Sequence, residues 1–257
     1  MNQPFHPFAL DTYILHHVLD SHEWYIPFLP TVYLPSFLSL HTFMMLLSAL
    51  LILFIFCVLY RKEDRVPTGL TNALEAFVVF IRNEVAIPSL GQEDGIYYTP
   101  ILCTLFFFIL GMNLMGMIPL FASATANVNV TGPLAFLTFW LMTINTIRRN
   151  GAGGFLKAMM PTGLKGPLLI FVAFMEFVGI FIKSFALMIR LFANMLAGHM
   201  MILSLLGLVV LFGWVALPAI IIAVAISALE VFIAFLQAYI FILLSAVFVG
   251  QMYHPEH

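Results

Sequence analysis

Two apolar segments near the C-terminus set the terms for the rest of the chain. One runs from Leu168 to about Leu206, the other from Ala219 to about Val249, and neither contains a proline. A helix needs only ~20 residues to cross an apolar bilayer core about 30 Å thick. As continuous helices, these two would be roughly 58 Å and 46 Å long at about 1.5 Å per residue. Each must tilt steeply, bend or break. Turn chemistry inside them is weak, because Gly179 and Gly198 are isolated and single glycines are common in membrane helices. The expectation is two long, strongly tilted helices joined at the corner "GWVALP", Gly213 to Pro218. The rival is a re-entrant turn near Asn194.

The rest of the chain reads the same way. Of 257 residues, 63% are hydrophobic and 9% charged, whereas soluble domains are about half apolar and a quarter charged. A first span runs from about Ser36 to Tyr60 and stops at "RKEDR". In Pro67 to Pro88 the apolar residues recur at helical spacing around Glu75, Arg82 and Glu84, the pattern of an amphipathic helix on a membrane surface. A second span covers about Tyr98 to Ile118, ahead of Pro119. "LFASATANVNVTGP" reads as a polar loop. A third span, Leu134 to Ile147, is short, and "RRNGAGGFLKAMMPTGLKGP" reads as a Gly-rich loop. The fold class is all-α and polytopic, with about five membrane helices and one surface helix. Residues 1–35 form an N-terminal outer segment. Residues 36–257 form a single membrane domain, with its polar helices at about 168–250.

Basic residues orient the chain. Arg61, Lys62, Arg65 and Arg82 lie between spans one and two; Arg148, Arg149, Lys157 and Lys165 lie between spans three and four. The other two of the ten Lys and Arg, Lys183 and Arg190, fall inside the fourth segment. The positive-inside rule then places the N-terminus outside and the C-terminus inside. No basic run points to nucleic acid. Cys57 and Cys103 sit in apolar runs and read as small packing residues. The N-terminus lacks the basic region of a cleavable signal and is not an Arg-rich transit peptide. His6, His16, His17 and His22 lie there with Asp11, Asp20 and Glu23. They read as a solvated or proton-entrance cluster, and no metal or cofactor is assigned. The sequon Asn129–Thr131 reads as incidental.

The informative residues are the polar ones inside the long segments. An intramembrane ionisable group costs about 2.5–3.5 kcal/mol on insertion scales. The last two segments carry Glu176, Lys183, Arg190, His199 and Glu230, with Asn194 and Gln237. Positions seven apart nearly superimpose on a helix, so Glu176, Lys183 and Arg190 form one stripe. Asn194 stays near that stripe, and His199 points to the opposite side. Glu230 and Gln237 share a face. Static readings exist: Arg190 pairing with a buried carboxylate, His199 clamped to Glu230, Glu176 paired with Lys183 across two turns, Asn194 and Gln237 as interhelical glue. A packing role at Arg190, however, could be filled at less cost by Asn or Gln. The set also suits a proton path. His and Glu relay protons when their surroundings bring them towards neutrality. Arg stays protonated, so beside a relay it is a barrier or counter-ion.

"IRLFANMLAGH", Ile189 to His199, resembles the signature helix of subunit a of F-type ATP synthases, and "LEVFIAFLQAYIF", Leu229 to Phe241, resembles that family's final helix. The resemblance covers at least Tyr98 to Tyr253. It implies a stator role beside a ring of c subunits, with b-type peripheral stalk subunits, other ATP synthase subunits and the bilayer as partners. It implies that Arg190 is the essential stator arginine, Asn194 the amide beside it, and Gln237 the glutamine facing it. His199 and Glu230 match a polar channel pair, in the order found in mitochondrial-type members. Glu176 matches an acidic channel position, and Lys183 has no role to carry over. Protons would enter and leave by two half-channels, with no catalysis on this chain, which lacks a GxxxxGK[ST] phosphate loop. A bacterial plasma membrane is expected, with a mitochondrial inner membrane the alternative. The other function classes are a proton-coupled secondary transporter, for which no repeat is found, and a non-conducting anchor.

Overall fold

The computed structural model describes residues 23–24, 32–35, 39–60, 69–118, 121–158, 167–213 and 217–253. A two-residue antiparallel pair, β1 (Glu23–Trp24) and β2 (Val32–Tyr33), precedes the helices. Helix α1 (Leu40–Phe54) widens into a π turn over Ile55–Leu59. Then come α2 (Gly69–Phe80), a second π turn over Ile81–Ala86, the short α3 (Ile87–Leu90) and α4 (Gln92–Gly116). The chain ends in α5 (Val128–Ala158), α6 (Pro167–Phe212) and α7 (Leu217–Tyr253). Among the described residues, five stretches are long and apolar enough to span a bilayer: Leu40–Val58, Gln92–Gly116, Val128–Arg148, Pro167–Val209 and Pro218–Met252. This is the all-α, five-span class read from the sequence.

The rival reading of the fourth segment fails. Helix α6 runs without a break through Asn194 for 46 residues, and α7 runs for 37. Nothing inside α6 stops it until Gly213, whose φ of 56° closes it in the left-handed region. Pro218 sits in the first turn of α7, where its missing N–H has no intrahelical partner to lose.

The third span departs from its expected bounds at both ends. It begins at Val128, inside the stretch read as a loop. Asn127 caps it: the Asn129 N–H donates to Asn127 Oδ1 at 2.8 Å, satisfying one of the four orphan donors of a helix start. Helix then continues into the stretch read as Gly-rich loop, but Gly151, at φ 70° and ψ 169°, is not helical and divides it. Thr131 of the sequon is buried, and its hydroxyl donates to the Asn127 carbonyl. The second span starts at Gln92 rather than Tyr98 and contains Pro100. The amphipathic stretch is one continuous helical run from Gly69 to Leu90, with a π turn between α2 and α3.

The chain divides into two compact bodies. The first comprises Met1–Ile52, Ile109–Thr131 and Leu191–Gln237. In it Trp24 lies beside Phe43 and Phe121, with ring centroids 5.8 and 5.9 Å apart. Gly111 leaves room for Ser48 and Ile52 of α1, and Gly116 for Ser123. The second body comprises Leu53–Phe108, Gly132–Arg190 and Ala238–His257. Aromatic rings pair across its helices: Phe56 on Phe107, Phe77 on Phe106, Phe80 on Tyr239 and Phe139 on Phe181. There Cys103 is buried, whereas Cys57 is exposed rather than packed. Two glycines bring backbone against backbone: Gly95 lies on Ile87, and Gly250, near the end of α7, lies on the Ser89 carbonyl.

Candidate functional site

In the first body the later part of α6, from Leu191, and the part of α7 up to Gln237 meet through polar groups. Asn194 Nδ2 donates to Gln237 Oε1 at 2.9 Å. Gln237 is buried and Asn194 exposed, so this part-buried bond joins the two helices at the edge of the packing. One heptad earlier on α7, Glu230 is buried too, at 4% exposure. Its carboxyl lies on the bare backbone of Gly198; a methyl there would collide with Glu230 Oε1 and come within 2.9 Å of Cδ. His199, the next residue of α6, is buried. The sequence-derived site residues Asn194, His199, Glu230 and Gln237 thus fall within one body, with Asn194 paired to Gln237 and Glu230 seated on α6.

Two polar atoms of this set, Glu230 Oε2 and Gln237 Nε2, are buried without a protein hydrogen-bond partner among the described residues. A buried polar group left unsatisfied costs about 1–3 kcal/mol, and water is its usual partner. An acidic oxygen and an amide nitrogen, two turns apart on one helix face, are chemistry suited to water and proton exchange rather than to an apolar seal.

A second buried amide, besides Gln237, supports α7 from the side. Asn113 of α4 accepts from the Thr125 hydroxyl at 2.8 Å, and its Nδ2 reaches the carbonyl of Ala234 at 3.4 Å. Ala234 lies one turn beyond Glu230. Asn113 and Gly198 were not singled out as site residues from the sequence. Asn113 was detectable as an amide inside an apolar span. Gly198 was not, because its meaning depends on the side chain laid over it from another helix.

Arg190 and Glu176 lie in the second body. Arg190 is half-buried and sits one turn before Asn194 on α6. Glu176 pairs with Lys183, Nζ to Oε1 at 3.4 Å. The expected pairing across two turns is therefore formed. Among the described residues no group of three His, Cys, Asp or Glu side chains is arranged to hold a metal. His6, His16, His17, His22, Asp11 and Asp20 lie outside the described residues.

The fold and this site define a polytopic helical membrane protein whose last two helices are joined by a part-buried set of ionisable and amide side chains. The model of the ATP synthase A chain family matches residues 42–250, and the chain belongs to that family. Similar proteins include ATP synthase subunit a of Anaeromyxobacter dehalogenans strain 2CP-C, 46% identical over 215 residues, covering 82% of this chain and 56% of the relative. The subunit a of Chloroherpeton thalassium is 44% identical over 260 residues, 95% of this chain and 77% of the relative. That of Myxococcus xanthus is 43% identical over 251 residues, 93% and 82%. The match spans only about half the length of the Anaeromyxobacter relatives.

Proposed function

We propose that this chain is the stator subunit of the membrane sector of an F-type ATP synthase, conducting protons through two half-channels to and from the carboxylates of a c-subunit ring. The observation that carries the reading is the part-buried set of α6 and α7: the Asn194–Gln237 bond, the Glu230 carboxyl on Gly198, and the two polar atoms left for water. In this reading Glu230 and His199 relay protons along a hydrated path. Arg190 stays charged, keeps the facing ring carboxylate ionised and blocks a direct leak between half-channels. Asn194 and Gln237 hold α6 to α7 beside it, and Glu176 is an acid on the other proton path. Moving one charge through 100 mV is worth about 2.3 kcal/mol, so several protons must pass per ATP.

The chain itself catalyses no reaction in this reading; it couples proton flow to rotation, and the chemistry of ATP lies on other subunits. Its partners are the c-ring, b-type stalk subunits and the remaining subunits of the complex. Its place is an energy-coupling membrane, a bacterial plasma membrane by its bacterial relatives, with the N-terminus outside and the C-terminus inside. Residues 1–35 form the outer segment, and the long helices α6 and α7 lie tilted against the ring. The family match disfavours a secondary transporter.

The test is Arg190→Ala in membrane vesicles that contain the assembled complex. Proton-driven ATP synthesis is expected to disappear while the complex remains assembled. Synthesis at the wild-type rate would overturn the reading.

A further inference from the structure

The ammonium of Lys183 is held from three sides within the second body. Its Nζ lies 3.4 Å from Glu176 Oε1, seven residues earlier on α6. It lies 3.3 Å from Gln251 Oε1, in the last turn of α7. It stands 5.4 Å from the ring centroid of Phe248, one turn before Gln251. Two of its three donors thus meet oxygens, and an aromatic face covers another flank. A lysine on a membrane helix ordinarily turns its charge out to water. This one turns inward along α6 and across to α7, and its side chain is only 29% exposed.

The end of α7 that receives it is itself anchored. Gly250, beside Gln251, lies against the Ser89 carbonyl of α3, backbone to backbone with no side chain between. Gly91, at φ 86°, turns the chain out of α3, and Gly95 packs back on Ile87. The contacts run in series: the α3 turn fixes the end of α7, Gln251 fixes the ammonium, and the ammonium fixes the Glu176 carboxylate. The Glu176 side chain is 42% exposed, and the ammonium is the charged group that holds it.

We propose that Lys183 is a positioning residue for Glu176, setting the place of that carboxylate from the anchored end of α7. The proposal rests on the reading of this chain as a proton-conducting stator subunit. Lys183 passes no proton in it; it acts through the acid that does. Replacement by arginine keeps the charge and the reach. Replacement by methionine keeps the bulk and removes both polar contacts.

The experiment measures passive proton conduction in vesicles containing the whole complex, normalised to the amount assembled. Lys183→Met is expected to slow conduction about fivefold, the rate equivalent of about 1 kcal/mol. Lys183→Arg should restore most of the rate. The double variant Glu176→Gln with Lys183→Met should be no slower than Glu176→Gln alone. If Lys183→Met prevents assembly, Gln251→Leu replaces it, with loss in the same direction and the same dependence on Glu176. The proposal is overturned if conduction per complex is unchanged, or if the losses at Glu176 and Lys183 multiply. Arg190→Ala in parallel separates the two failures: if it too leaves coupling intact, the stator reading itself has failed.

Discussion

Helices α6 and α7 carry two polar groupings, one in each body, built on opposite plans. In the first body, His199, Glu230 and Gln237 are buried, Asn194 reaches Gln237 from an exposed position, and the Glu230 carboxyl lies close on Gly198. In the second, Glu176, Lys183 and Gln251 are partly exposed, and an ion pair satisfies the charges directly. The difference is one of what each can exchange. A carboxylate held by an ammonium has its partner on the protein. Glu230 has one buried oxygen that meets no hydrogen-bond partner among the described residues and is open to water. Under the proposed function, the acid of the first grouping meets water directly, whereas the acid of the second is set in place by an ammonium.

Removing the acid of the first grouping should have the largest effect. Glu230→Gln keeps the shape and loses the titratable proton. Conduction per complex should fall about 100-fold, the usual lower bound for losing a proton-transfer group. A loss no greater than that of Lys183→Met would break the comparison.

Gly198→Ala comes next. The added methyl meets the Glu230 carboxyl, and overpacking of this kind costs about 1–3 kcal/mol. Conduction should fall about tenfold, and Glu230→Asp, one methylene shorter, should recover part of it when combined. If Gly198→Ala alone conducts normally, the carboxyl does not need its seat.

The smallest effect belongs to the second body, beyond the first span. The Tyr60 hydroxyl donates to Glu75 Oε1 at 2.9 Å. That hydrogen bond, then desolvation and the nearby negative charge, raises the phenol above its ordinary pKa of 10.0. The raised value means that the bond favours the folded state below the ordinary tyrosine range and is lost as pH climbs through the raised pKa. Glu75→Gln should lower the onset of phenolate absorbance in an ultraviolet titration, with proton conduction unchanged. An unshifted titration would remove the contact from the account.

Much of this was legible in the residues. Apolar length alone gave the five spans, and Gly213 with Pro218 gave the corner between α6 and α7. The seven-residue spacing of Glu176 and Lys183 foretold their pairing. The start of α5 was missed because "NVNVTGP" is polar, yet Asn127 two residues before Asn129 is a helix cap that could have been read as one. Gly151 does behave as a break, but helix lies on both sides of it. Gly198 and Gly250 were beyond reach for a different reason. A glycine that makes room looks like any other until the facing helix is placed.

The continuity of α6 makes its residue count as consequential as its chemistry. Glu176, Lys183, Arg190, Asn194 and His199 all ride on one uninterrupted screw. Inserting a single residue between Glu176 and Lys183 would turn everything beyond it by about 100°. A seven-residue insertion would nearly restore the phase but advance it by about 10.5 Å along the axis. The helix is therefore a gauge, and α6 should bear substitutions between its polar positions far more readily than insertions or deletions of any length.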